Sequence, residues 1–291
     1  TSQLGIEFKQ GHNAIMSFEF INKQIYLPVT FQNRETIYVV VDTGASGSVL
    51  YEDVAQKAGL KSNDYIVIGG LGRRLNLGTF LDSAITWDLS GLSLKQMCVA
   101  VVALPNHAKL PGKHVGGVLG MDILKNFVIR VDYANRKIEF IEPNSFSEDS
   151  TRAYVPMEFK DFMPVIEATV ISDNGASVVG KFSVDTGAVV GLQLDGGFLK
   201  AHSHLAVRRV GKADMYGLGG QFKLTTGMCR GLKIGKWNFS DLPFYSKETA
   251  NASSVTGPAG LLGNDLLDKF DLIFDFPGKK LFLKSNEKSS P

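Results

Sequence analysis

Two aspartates, Asp42 and Asp185, stand in nearly identical stretches of sequence. Val39 to Leu50 reads V-V-V-D-T-G-A-S-G-S-V-L, and Phe182 to Leu194 reads F-S-V-D-T-G-A-V-V-G-L-Q-L. In each stretch a β-rich run delivers Asp to a tight turn, and the following Gly44 or Gly187 lets another backbone come close. The hydroxyls of Thr43 and Thr186 both donate and accept, so each can lock its own loop against the other. One copy alone would be a turn with a capping aspartate. Two copies at equivalent places in twin lobes can bring the carboxylates together. Like charges in one site cannot both ionise easily, so the pair holds a single proton over a useful pH range. The charged member can act as general base to a water while the protonated member polarises a carbonyl. Such a pair titrates as one system.

Positioning two loops in this way needs two similar bodies, and the sequence supplies them. Gly116 to Ile141 begins G-G-V-L-G-M-D-I-L-K-N-F, and Ala259 to Lys284 begins A-G-L-L-G-N-D-L-L-D-K-F. The aspartates and the glycines Gly120 and Gly263 share one offset of 143 residues (185 less 42, 263 less 120). Two motifs recurring at one offset mark an internal repeat. Val29 to Val41 and Val165 to Val184 read as hairpins leading into the aspartates, divided at Gln32 to Glu35 and at Ser172 to Gly175. Val128 to Ile141 and Leu272 to Leu283 read as further hairpins, turning at Ala134 to Arg136 and at Pro277-Gly278. Asp122 and Asp265 are expected to cap short helices, and Glu52 to Ala58 to form another that Gly59 stops. Glu142 to Arg152 is polar and broken by proline, as a linker should be. The expected architecture is mainly β: a first lobe over residues 1–145, a linker over 146–153, and a second lobe over 154–291, with a few short helices.

Composition narrows the partners. The net charge of +2 comes from scattered basic residues, whereas nucleic acid needs a concentrated basic face. No apolar stretch approaches the ~20 residues of a membrane-spanning helix. Cys98 and Cys229 share no short spacing, so they suggest neither a zinc site nor a redox pair, and one disulfide or two buried thiols remain open. No metal and no cofactor are expected. The partner implied is a peptide or protein substrate, taken by a monomer.

Over almost its whole length the sequence resembles the aspartic peptidase superfamily, and more closely its retropepsin-like branch. The shared-proton pair is the known behaviour of aspartic-protease dyads in general. The resemblance implies that Asp42 and Asp185 are catalytic, with Thr43, Gly44, Thr186 and Gly187 supporting their loops. Val118-Leu119-Gly120 and Leu261-Leu262-Gly263 match the family's apolar-apolar-Gly motif, which passes behind each loop. Ala45 and Ala188 follow the retroviral habit where pepsins place Ser or Thr. Ile68-Gly69-Gly70-Leu71-Gly72 and Tyr216-Gly217-Leu218-Gly219-Gly220 look like two glycine-rich flaps, so Gly70, Leu71, Gly72, Gly217, Leu218 and Gly219 are candidates to hold substrate backbone. Two flaps imply a retropepsin dimer fused into one chain, an arrangement of bacterial secreted or envelope-associated enzymes, and hence a periplasmic, envelope or secreted location. Pro105 to Val115 and Ser246 to Pro258 would wall the side-chain pockets. One departure stands out: Met121 and Asn264 occupy positions where retropepsins commonly place Arg, so that arginine's ion pair is absent.

Plainer readings compete. The two aspartates could be structural caps in a β-domain that binds peptides by strand addition but cleaves them slowly or not at all. A two-carboxylate glycosidase is disfavoured because the paired D-T-G loops bring the groups too close. His202-Ser203-His204 alternates as ligands on a strand would, yet no third ligand accompanies it, and exposed histidines are the simpler reading. Trp87 and Trp237 read as packing residues.

Overall fold

The computed structural model describes residues 4–32, 35–68, 76–81, 84–103, 110–148, 153–205, 207–217, 220–247 and 257–285. Among these, strands dominate, and they form two large sheets of 11 and 13 strands. The hairpins expected before each aspartate are present. Gln24–Phe31 pairs antiparallel with Glu35–Val41, and Met163–Ile171 pairs antiparallel with Ser177–Asp185. Period-two alternation explains the first strand: Ile25, Leu27, Val29 and Phe31 face inward and are almost fully buried. Each half thus leads into its aspartate through an antiparallel hairpin of the same kind.

The lobes share a platform. Tyr154–Lys160, Lys280–Ser285 and Phe270–Asp275 from the second half run on into Val128–Asp132, Lys137–Ile141 and Asn13–Ser17 from the first, as one continuous part of the larger sheet. Its middle pair is antiparallel, with Arg130 opposite Ile273. The main core spans both halves beneath these sheets. Trp87, Phe31, Phe127 and Phe140 anchor it in the first half; Phe182, Phe244, Phe274 and Phe276 anchor it in the second. Each such side chain gives about 1.5–3 kcal/mol on burial, so the core rather than any turn carries the stability.

Helices are few and short. Glu52–Lys57 ends at Ala58, followed by Gly59 at φ 68°, as its sequence predicts. Met121–Leu124 and Asn264–Leu267 follow the two apolar-apolar-Gly motifs. Their caps, however, are Gly120 and Gly263, with no side-chain capping bond, which corrects the expectation for Asp122 and Asp265. Each acid sits one step inside its helix, near the positive end of the dipole. Asp122 Oδ1 accepts from Ser48 Oγ at 2.7 Å, and Asp265 Oδ1 pairs with Lys23 Nζ at 2.9 Å. Gly196–Ala201 is a helix the sequence pattern did not reveal. Asp195 caps it, accepting from the backbone of Gly197 and Phe198 at 2.8 and 3.1 Å. His202, read as loop or strand, closes this helix and turns Nδ1 to the Phe198 carbonyl at 2.9 Å.

The expected linker is only partly a tether. Pro143–Ser145 forms a single 3-10 turn with proline at its start. Phe146 then packs edge-on to Phe282 of the second half, 6.4 Å between ring centres. Cys98 and Cys229 are both free; Cys98 is exposed and only Cys229 is buried.

Candidate active site

Each aspartate loop hangs between two strands that fix its height. Val115–Leu119 runs parallel to Glu35–Val41, placing Leu119 beside Val41, and the Asp42 N–H donates to the Leu119 carbonyl at 3.1 Å. In the second half Gly260–Gly263 runs parallel to Ser177–Asp185, with Gly263 beside Asp185. The apolar-apolar-Gly motifs therefore do lie against the loops. Close passage explains their glycine: a Cβ on Gly120 would lie 2.6 Å from the Gly47 carbonyl carbon, and one on Gly263 would lie 2.3 Å from Val190 O.

The two loops lock reciprocally. Thr43 N–H donates to Thr186 Oγ1 at 3.1 Å, and Thr186 N–H donates to Thr43 Oγ1 at 3.0 Å. Each hydroxyl then donates onward across the interface, Thr43 to Val184 O at 2.6 Å and Thr186 to Val41 O at 2.8 Å. Both threonines are buried. Each hydroxyl thus accepts once and donates once, which is the capacity the sequence predicts for them.

This lock sets the carboxyls of Asp42 and Asp185 beside each other, close enough for each to shift the other's titration. Each loop's glycine faces the other loop's acid: a Cβ on Gly44 would lie 2.5 Å from Asp185 Cγ, and one on Gly187 would lie 2.3 Å from Asp42 Cγ. Asp42 Oδ1 accepts from Gly44 N at 2.8 Å, and Asp185 Oδ1 accepts from Gly187 N at 2.8 Å and Ala188 N at 3.0 Å. Both acids keep part of their surface open to solvent. Burial nevertheless pushes both above the usual carboxylate range. Asp185 rises further because the charge of Asp42 adds to burial, while the Gly187 and Ala188 N–H groups oppose the rise. Desolvation and a like charge together make one shared proton the stable state.

Other sequence candidates fall as follows. Gly217 ends the strand Arg208–Gly217, which pairs with Gly220–Ile234 up to Gly217 opposite Gly220. The corresponding hairpin of the first half pairs Ser62–Ile68 with Asn76–Leu81, ending at Ile68 opposite Asn76. Gly70, Leu71, Gly72, Leu218 and Gly219 lie outside the described residues, as do most of the two segments expected to wall the pockets. Trp87 is fully buried, and Trp237 packs edge-on to Phe270.

Sequence reasoning passed over Asn264 and Lys23, treating Asn264 only as a missing arginine. Asn264 is fully buried, and its side chain joins three partners. Its Nδ2 donates to Thr186 O at 2.6 Å and to Lys23 O at 2.7 Å, while its Oδ1 accepts from Tyr133 OH at 2.7 Å. Lys23 lies at the tip of the hairpin Glu19–Ile21/Gln24–Phe31, where Asn22 and Lys23 take φ of 50° and 61°. Two successive positive φ values are what a two-residue hairpin turn of primed type requires. From that tip the Lys23 ammonium reaches Asp265 at 2.9 Å and Asp268 at 2.6 Å. Gln24 Nε2 donates to Gly187 O at 3.1 Å. A turn of the first half is thus seated against the aspartate loop of the second. The available signal was the asymmetry between Met121 and Asn264 at matching places in the repeat.

A mainly β protein in which two matching loops set a pair of half-buried aspartates side by side has the arrangement of the acid-protease fold. Residues 27–123, which include Asp42 and the first apolar-apolar-Gly motif, match the family model described as aspartyl protease. No curated protein matches the chain significantly. The match covers about a third of the chain, and over those residues the chain is similar to the aspartyl protease family.

Proposed function

We propose that this protein is an aspartic endopeptidase that activates water with the Asp42/Asp185 pair. The observation that carries the reading is the pair itself: two adjoining, half-buried carboxyls, each against the other loop's glycine, set by a reciprocal threonine lock. With one proton between them, the ionised carboxylate takes a proton from water as the oxygen attacks the scissile carbonyl. The protonated carboxyl donates to the developing oxyanion. The same proton economy later serves the departing amine. Neither step requires a covalent intermediate with the protein.

Substrate would lie extended beneath the two glycine-bearing hairpins, bonded through its backbone at Gly70, Leu71, Gly72, Gly217, Leu218 and Gly219. Support comes from exposed apolar side chains on the described parts of these hairpins: Val67, Phe80 and Val210 are 63%, 47% and 67% exposed. Apolar surface of this kind suits apolar side chains of a bound peptide. The lobe division at 1–145 and 154–291 and a monomeric state are part of this reading, since one chain carries both aspartate loops. So is a periplasmic, envelope or secreted location, which cell fractionation would test.

The experiment is cleavage of a diverse peptide library from acid to neutral pH by the parent, Asp42→Asn and Asp185→Asn. The parent should cut and both variants should lose cleavage while keeping the parent's circular dichroism. Binding without cleavage by the parent would instead make the protein a peptide-binding module.

A further inference from the structure

Asn264 sits one peptide unit from the dyad. Its Nδ2 donates to the carbonyl of Thr186 at 2.6 Å, and the N–H of that same peptide unit, on Gly187, donates to Asp185 Oδ1 at 2.8 Å. A hydrogen bond onto an amide carbonyl polarises the unit and makes its N–H a stronger donor. The amide's orientation is settled by its neighbours. Thr186 O and Lys23 O can only accept, so the NH2 group must face them, and Tyr133 OH fills the remaining oxygen at 2.7 Å. Burial raises the Tyr133 phenol well above its ordinary value, so it stays a donor over the whole working pH range.

The first half has no counterpart. Gly44 N–H donates to Asp42 Oδ1 at 2.8 Å, much as Gly187 does to Asp185. The backbone N–H groups of Met121 and Asn264 also match, donating to Ala45 O at 2.8 Å and Ala188 O at 2.9 Å. A thioether, however, has no N–H to give to the Thr43 carbonyl. The Thr186–Gly187 peptide therefore receives a side-chain donor that Met121 cannot supply to its counterpart, and the second loop differs further in the bonds from Ala188 N to Asp185 Oδ1 at 3.0 Å and from Gln24 Nε2 to Gly187 O at 3.1 Å.

We infer that Asn264 is a positioning residue that acts on one side of the dyad only, through the Thr186–Gly187 peptide, to stabilise the ionised form of Asp185. The inference rests on the reading of Asp42 and Asp185 as the reacting pair. The Gly187 N–H is the foremost group opposing the rise of the Asp185 carboxyl, so weakening it lets Asp185 hold its proton to higher pH. The doubly ionised pair contains an ionised Asp185 whichever acid gives up its proton first, so the change belongs on the basic limb of the pH profile.

The test compares the pH dependence of kcat/KM for the parent, Asn264→Leu and Tyr133→Phe. Leucine keeps the volume of asparagine and removes the amide; phenylalanine leaves the amide and removes only the hydroxyl that fixes it. The expected result is an upward move of the basic limb, on the order of half a pH unit for Asn264→Leu and less for Tyr133→Phe. KM should change little, because no substrate contact is altered. An unmoved limb in a folded Asn264→Leu protein, or a loss confined to KM, would overturn the inference. If Asn264→Leu does not fold, an unmoved limb in Tyr133→Phe decides against it. Carbon NMR titration of the Asp185 carboxyl in the same proteins reads the shift without turnover. An inactive parent would therefore refute the peptidase reading and still leave this one decided.

Discussion

Replacing Thr186 by Val removes one oxygen and almost no volume, yet it should damage both stability and activity. Thr186 Oγ1 accepts from Thr43 N at 3.1 Å and donates to Val41 O at 2.8 Å, and the residue is 1% exposed. Valine leaves a backbone N–H and a carbonyl without those partners in a buried place. An unsatisfied buried group costs about 1–3 kcal/mol, so two of them give a destabilisation of about 2–6 kcal/mol, with ~3 kcal/mol the working value. For the 291 residues of this chain, at ~2.1 cal/mol/K per residue, the unfolding entropy is about 0.6 kcal/mol/K. The expected fall in Tm is then about 5 °C. Activity should fall more than stability implies, because the lock also sets the separation of the two carboxyls. Scanning calorimetry and a peptide-cleavage assay on the same samples read both quantities. Thr186→Ser, which keeps the hydroxyl, should stay near the parent. Thr43→Val combined with Thr186→Val should cost less than the sum of the single changes, since each disables part of the same lock. A Thr186→Val protein that melts within a degree of the parent and cleaves at full rate would refute the reasoning.

Two further outcomes are expected. Asp185 is raised above its ordinary 3.8 in the folded state by burial and then by Asp42. The native fold therefore binds this proton more tightly than the unfolded chain does, and stability is lost as pH rises from about 4 through the folded value. Asp185→Asn should accordingly melt close to the parent near pH 3.5 and above it at pH 7; equal melting at both pH values would remove the claimed shift. The exposed Cys98 should react with a thiol reagent in the native protein, while Cys229, buried and pushed up to about 11, should react only after denaturation. Thiol titration with and without guanidinium measures this, and two fast native thiols would contradict the burial.

The dyad and its lock were legible in the sequence because their signals are local and repeated. D-T-G restricts the turn chemistry, and the hairpins around it alternate with period two. The helix Gly196–Ala201 was hidden because it opens with two glycines, poor helix formers, although Asp195 before them is a good cap. Asn264 was hidden for a different reason. Its partners Lys23 and Tyr133 lie 241 and 131 residues away, and nothing local marks a buried asparagine as a hub rather than a surface residue. The same holds for Asp122 and Asp265: a short acid before an apolar run reads as a cap, and only the fold shows that glycine has taken the capping place.

The shared platform contains a coincidence of numbering with a geometric meaning. Its central strands pair Arg130 with Ile273, Ile129 with Phe274 and Val131 with Leu272. Under the repeat offset of 143 residues, Arg130 maps onto Ile273, so the residue at the middle of this strand faces its own counterpart. A rotation axis relating the halves must pass between those two positions, and the reciprocal bonds between Thr43 and Thr186 obey the same operation. Either half alone would present Val128–Asp132 or Phe270–Asp275 as an open sheet edge, ready to pair with any like strand. The connection between the halves therefore does more than keep them near each other: it gives each edge one matched partner ahead of the stray strands of other molecules.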